Sequence, residues 1–315
     1  MDKIAVLQMG AYPPSDEERL NQRFAMHRHF EGDAAGLLER HGKTVRAIAT
    51  RGELGAGRAL IDALPALEII SIYGVGFDAV DLAAARARGI RVTNTPDVLT
   101  GDVADLGVAM MLALARGVVG ADAWVRTGAW AAKGGYPLQR RVHGKRAGIL
   151  GLGRIGAEVA RRLAGFGMEI AYSATAPKAD AQEGWTFVAD PVELARRSDI
   201  LFATLAASEK TRNIVGREVI EALGPDGMLV NISRASNIDE DALLDALESG
   251  RLGSAALDVF AGEPRLNPRF LALDNVLLQP HHASGTVETR KAMGQLMFDN
   301  LVAHFEGRAL PTPVI

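Results

Sequence analysis

Three glycines carry the clearest chemical reading in this chain. Gly151, Gly153 and Gly156 form G-x-G-x-x-G, after the apolar run Ala147–Leu150 and before a helical pattern over Ile155–Ala164. In a strand–turn–helix unit the first glycine permits the tight turn. The second lets a pyrophosphate approach the backbone, and the third lets helix and strand pack closely. The helix N-terminus, at Arg154 and Ile155, would offer its free N–H groups and partial positive charge to the phosphates. The pattern therefore points to a dinucleotide, against a glycine turn of purely structural use. A second clue is an absence. A strand that holds an NAD ribose ends in Asp or Glu about 20 residues further on. Here Glu169–Tyr172 runs into Ser173, Ala174, Thr175, Ala176, Pro177 and Lys178. No carboxylate would repel a 2′-phosphate, and Ser173, Thr175 and Lys178 could hydrogen-bond to one, so NADPH is expected, with NADH possible. The alternative is that Lys178 is only a solvated loop charge. The chain has no cysteine, which excludes disulfides, thiolate metal sites and a cysteine nucleophile.

The elements that must position these residues follow from periodicity. Short apolar runs at Ile4–Met9, Val45–Ala49, Leu67–Ile72 and Arg91–Asn94 read as strands, with helical patterns such as Asp16–Arg28 and Gly32–Arg40 between them. A second series begins after residue 144. Its strands are expected at Ala147–Leu150, Glu169–Tyr172, Ile200–Thr204, Met228–Ile232, Ala255–Val259 and Val276–Leu278. Helical patterns at Pro191–Arg197, Gly216–Leu223 and Asp239–Glu248 alternate with them. Near-continuous apolar strands joined by helices predict parallel, doubly wound sheets covered on both faces. Long helices are expected over Asp102–Arg126 and Thr286–Glu306. At 315 residues the chain is long enough for about two domains. A net charge of −3 gives no overall basic footprint for nucleic acid. The basic cluster Arg140, Arg141, Lys145 and Arg146 lacks interleaved aromatics and reads as a solvated face. The N-terminus carries Asp2 and reaches Pro13-Pro14 too early for a signal peptide, and no apolar run approaches membrane-span length. A cytoplasmic protein without a membrane partner is expected.

Beyond single motifs, the chain resembles the D-isomer-specific 2-hydroxyacid dehydrogenase family nearly from end to end. It is similar in particular to its hydroxypyruvate, glyoxylate and hydroxyphenylpyruvate reductases. The carrying segments are Asn94–Thr100, Gly148–Gly156, Asn231–Arg234, Leu257–Pro264 and Gln279–His281. The resemblance implies two doubly wound, Rossmann-like α/β domains, the cofactor domain (98–285) inserted into the substrate domain (1–97 and 286–315). It also implies a homodimer built on Asp102–Arg126. The family's catalytic Arg, Glu and His fall on Arg234, Glu263 and His281, with His282 as a local competitor of His281. Arg234 and His281 each follow an expected strand, at the carboxyl edge where open α/β sheets bind ligands. A guanidinium fork suits a 2-oxo acid carboxylate, and an imidazole that titrates near neutrality suits proton donation to the carbonyl oxygen. Glu263 would fix the tautomer of His281 and favour its charged form.

The resemblance further assigns the N–H groups of Val75 and Gly76 to the substrate carboxylate and Asp258 to the nicotinamide amide, where a turn cap is the alternative. Arg51, after another strand, is a candidate substrate contact, with a surface ion pair as its alternative. Thr204, Leu205 and Ala206 depart from the family's usual Cys-Pro-Leu beyond the fourth cofactor-domain strand, so Thr204 enters the cofactor set. Ala235 replaces the usual glycine after the arginine, and Ala174 stands where NADP-using relatives often carry arginine. The expected activity is reduction of a small 2-oxo acid to the D-2-hydroxy acid, without metal. An arylpyruvate reductase is the second expectation. A catalytically inactive nucleotide sensor on the same fold is the rival from another class.

Overall fold

The computed structural model describes residues 3–315, so Asp2 lies outside the described residues. The chain forms two compact units, one of residues up to Leu99 with Ser284–Ile315, the other of Thr100–Ala283. These divisions fall two residues inside the expected 98–285. Thr289 Oγ1 donates to the Val98 carbonyl, which ties that residue to the first unit. The Ala283 N–H is bound by the Asp258 carboxylate, which ends the second.

The first unit carries a parallel sheet of five strands: β1 (Ile4–Gln8), β2 (Phe24–Arg28), β3 (Ala47–Arg51), β4 (Ile69–Tyr73) and β5 (Arg91–Thr93). Their order is β2-β1-β3-β4-β5. Leu7, Ile48, Ile70, Ile72 and Val92 are fully buried in it. The pattern expected to run as one helix over Asp16–Arg28 divides in two. The helix Pro14–Arg23 stops, and Phe24–Arg28 pairs in parallel with β1, Ile4 opposite Phe24. Phe24 is buried, its ring 6.0 Å from Phe298 and 6.2 Å from Phe305 on the C-terminal helix Val287–Phe305. The segment has no β-branched residue, so pairing and burial decide its strand conformation.

The second unit carries seven parallel strands: β6 (Arg146–Leu150), β7 (Glu169–Ser173), β8 (Thr186–Phe187), β9 (Ile200–Ala203), β10 (Met228–Asn231), β11 (Ser254–Leu257) and β12 (Val276–Leu278). The order β12-β11-β10-β9-β6-β7-β8 reverses direction between β6 and β9. A switch point of this kind leaves a crevice outside the carboxyl ends of its two strands. β8 is two residues long, too short for any periodic signal. Leu201, Leu229, Leu244 and Ala255 are among the fully buried residues of its core.

The helix expected over Asp102–Arg126 is also two helices, Thr100–Ala115 and Val118–Arg126, bent by 58°. Gly117 between them has φ +58°, a left-handed conformation that ends an α-helix. Among the described residues no single helix is long and apolar enough to cross a membrane. This bent pair meets that test only jointly, and Val103, Ala104, Val108, Met110 and Met111 of its first arm are buried.

Candidate active site

Each glycine of the turn after β6 answers to a different constraint. Gly151 has φ +102°, and a Cβ there would lie 2.7 Å from the Leu205 Cα. A Cβ on Gly156 would lie 2.2 Å from the Gly151 carbonyl oxygen and 2.7 Å from Thr204 Oγ1, so helix Arg154–Ala164 sits against the strand only because that atom is missing. A Cβ on Gly153 would meet nothing within 4 Å. Its face is open, at the N-terminus of the helix where Arg154 and Ile155 begin it, and an anion can come close to the backbone there. Thr204 Oγ1 donates to the Gly151 carbonyl at 2.7 Å and thereby braces the turn.

β7 extends one residue further than expected, to Ser173, which pairs with Leu150. Ser173 is buried and its hydroxyl donates to the Ala189 carbonyl at 3.3 Å, so in this arrangement it faces the protein. Thr175 and Lys178 are exposed. The Lys178 N–H donates to the Tyr172 hydroxyl at 3.0 Å, which pins the loop that carries both.

The second cluster lies beyond β10, β11 and β12 of the same unit. His281 follows β12 with φ +51°, a conformation that costs a non-glycine residue free energy and needs its surroundings to hold it. Asp258, just after β11, does the holding. It is 1% exposed, and its backbone carbonyl accepts the His281 N–H at 2.9 Å. Its carboxylate oxygens accept the N–H groups of His282 at 2.6 Å and Ala283 at 3.0 Å. Burial pushes the Asp258 carboxyl up, and these two donors oppose the rise. The carboxylate thus caps the turn after β12, far along the chain from the loop that follows Asp258 itself. His282 is exposed, and its N–H is spent on that cap.

His281 Nδ1 and Glu263 Oε2 are 2.7 Å apart, and Glu263 Oε1 accepts the Phe260 N–H, also at 2.7 Å. The Glu263 hydrogen bond raises the His281 pKa above its ordinary value, against burial and the charge of Arg234. Burial would raise Glu263, but the hydrogen bonds from His281 and Phe260 outweigh it and leave the carboxyl low. An ionised Glu263 places the proton on Nδ1 and turns Nε2 outward. The Arg234 guanidinium, in the loop after β10, acts electrostatically on both partners, and its Nη1 donates to the Ser233 carbonyl at 2.8 Å. Arg234, Glu263 and His281 therefore share one electrostatic neighbourhood. What the sequence reading missed is the support beneath Arg234, the buried amides Asn231 and Asn237. A polar amide at a strand end among apolar residues was the available signal.

In the first unit, Val75 and Gly76 lie in the loop after β4. Asn94 Nδ2 holds the Val75 carbonyl at 2.8 Å, and Gly74 N–H donates to Thr95 Oγ1 at 3.0 Å. The N–H groups of Val75 and Gly76 meet no acceptor among the described residues. Arg51 makes the surface ion pair that was its alternative, 2.6 Å to Glu53. Among the described residues no group of three metal-ligating side chains occurs.

A profile described as "D-isomer specific 2-hydroxyacid dehydrogenase, NAD binding domain" matches residues 108–283. The chain belongs to the D-isomer-specific 2-hydroxyacid dehydrogenase family. It is 45% identical over 316 residues to a hydroxyphenylpyruvate reductase of Plectranthus scutellarioides, covering all of both chains. A solved 2-hydroxyacid dehydrogenase of Ketogulonicigenium vulgare is 69% identical, with a TM-score of 0.93 over 100% of this chain and 99% of that one. An NADPH-dependent glyoxylate/hydroxypyruvate reductase of Sinorhizobium meliloti, solved with NADP and malonate, is 41% identical, with a TM-score of 0.93 over 99% and 97%. As a member of this family the chain is an NAD(P)-dependent oxidoreductase. The open face at Gly153 and the tight packing at Gly151 and Gly156 fit a dinucleotide on the second unit.

Proposed function

We propose that the protein reduces small 2-oxo acids, glyoxylate and hydroxypyruvate first, to D-2-hydroxy acids with NADPH. The observation that carries this reading is the 2.7 Å pair between His281 and Glu263 with the charge of Arg234 acting on both. The bound cofactor supplies the hydride. Arg234 holds the substrate carboxylate with its fork of donors. His281 Nε2 passes a proton to the carbonyl oxygen as negative charge gathers there, and Glu263 keeps the ring oriented and charged. Val75 and Gly76, with their free N–H groups, are the proposed carboxylate donors of the first unit. Gly151, Gly153, Gly156, Arg154 and Ile155 form the proposed pyrophosphate site. Thr175 and Lys178 line the proposed 2′-phosphate site, with Ser173 at its base, and Asp258 and Thr204 support the cofactor crevice through the turns they brace.

An intact Arg–Glu–His set speaks against a sensor without chemistry. An arylpyruvate is the second substrate class, favoured by full-length similarity to the hydroxyphenylpyruvate reductase. The test is oxidation of NADPH and NADH, followed by absorbance, with a panel of 2-oxo acids. No turnover with any of them sinks the reading. We further propose a cytoplasmic homodimer, formed through the exposed apolar residues of Val118–Arg126 and Ala129–Lys133.

A further inference from the structure

Asn237 ends the short turn Ala235–Asn237 that follows Arg234, and it is fully buried. Its Nδ2 donates twice, to the Leu205 carbonyl and to Ser233 Oγ, each at 3.1 Å. Ser233 Oγ donates onward to Asn231 Oδ1 at 2.7 Å, and the same oxygen takes the Ser233 N–H at 3.0 Å. Asn231 Nδ2 reaches the Arg234 carbonyl at 3.2 Å, where the Asn237 N–H also donates at 3.3 Å. The direction of this relay is fixed. A carbonyl only accepts, so the amide nitrogen of Asn237 must face Leu205. The single proton of Ser233 goes to Asn231, so its oxygen must accept from Asn237. Asn231 and Ser233 are also buried, 1% and 6% exposed.

The relay joins two parts of the second unit. One end is Arg234. The other is Leu205, whose backbone lies against the glycine turn, 2.7 Å from where a Gly151 Cβ would stand. Packing alone does not account for the amide. Asn237 Oδ1 is buried without a hydrogen-bond partner, and an apolar side chain would avoid that cost.

We propose that Asn237 is a positioning residue for the reduction, fixing Arg234 relative to the cofactor turn through Ser233, Asn231 and Leu205. This rests on the reading that Arg234 holds the 2-oxo acid carboxylate. Loss of the relay loosens the backbone that carries Arg234, whose carbonyl takes both amide donors, while the His281–Glu263 pair stays intact.

The experiment compares the parent with Asn237→Leu, near in size and free of both donors. It measures Tm, NADPH affinity by fluorescence titration, and kcat and KM for glyoxylate and hydroxypyruvate. The expected result is NADPH affinity close to the parent's and kcat/KM for the 2-oxo acid lower by about tenfold or more, since misplacement of about 1 Å can cost that much. The loss should appear chiefly as a rise in KM. In an Arg234→Lys background the same substitution should add little, because coupled residues are not additive. Unchanged KM, or an equal loss in both backgrounds, overturns the proposal, as does a loss that follows Tm alone. If Asn237→Leu does not fold, Ser233→Ala cuts the relay at its middle. It should raise KM in the same direction, and a parental KM overturns the proposal. A parent that binds NADPH yet reduces no 2-oxo acid overturns the assignment of Arg234 itself, a result seen before any variant is made.

Discussion

At the scale of single residues the proposed chemistry rests on one hydrogen bond and one charge. The folded-state pKa of His281 stands above its free value, so its contribution to stability is full below about pH 6.5 and is lost as pH rises through the raised value. Glu263 is lowered, so its contribution is full above about pH 4.3 and is lost as pH falls through the lowered value. In the proposed mechanism reduction needs the charged imidazole, so kcat/KM should decline as pH rises through the His281 pKa. Glu263→Gln removes the largest influence that raises it, leaving burial and Arg234 to lower it against only the smaller effect of Asp258. The alkaline limb of the pH profile should then move to lower pH, and a limb that stays put means that Glu263 does not set His281. His281→Ala should cut kcat by about a hundredfold or more, the usual size of a general-acid contribution, with little change in NADPH affinity. Near-parental turnover would move suspicion to His282. The sequence pointed to all three residues through their segments. It could not show that the Asp258 carboxylate is occupied by the N–H groups of His282 and Ala283, because that bond closes across 24 and 25 residues of chain.

At the scale of elements, the glycine turn separates folding from binding. Gly156→Ala places a Cβ 2.2 Å from the Gly151 carbonyl oxygen, so it should lower Tm even without cofactor. Gly153→Ala places one in open space, so Tm should hold while the dissociation constant for NADPH rises. Thermal melts and fluorescence titration of both variants decide this, and a fall in Tm for Gly153→Ala would contradict the assigned roles. At the end of β7, Ser173→Asp introduces a charge that the Ala189 carbonyl cannot receive, so the carboxylate is expected to turn outward. Two unit charges about 4 Å apart at an effective dielectric of about 20 repel by about 4 kcal/mol before solvent screening. A third of that is close to a tenfold change. KM for NADPH should rise relative to KM for NADH, and saturation curves with an unmoved ratio would remove Ser173 from cofactor choice.

At the scale of the whole molecule, the second unit exposes Val119 (63%), Trp130 (62%) and Leu138 (100%), the apolar residues on which the proposed dimer rests. Trp130→Asp combined with Val119→Asp should shift the proposed dimer to monomer in analytical ultracentrifugation, and a parent that is already monomeric removes this interface. The amino-acid sequence by itself determined the six longer strands of the second sheet, the helix over Val287–Phe305 and the glycine turn. Each depends on local pattern, since a buried parallel strand must be apolar and a tight turn must lack a Cβ. Only the tertiary structure decided that Phe24–Arg28 is a strand, because the hydrogen bonds that make it one belong to β1. Only it decided that the chain bends at Gly117, that Arg51 turns to Glu53 and Ser173 to Ala189, and that Asn237 reaches Leu205. Side-chain hydrogen bonds between residues far apart in sequence have no periodicity to announce them. They form where folded backbone brings donor and acceptor within about 3 Å, and nothing short of the fold specifies that distance.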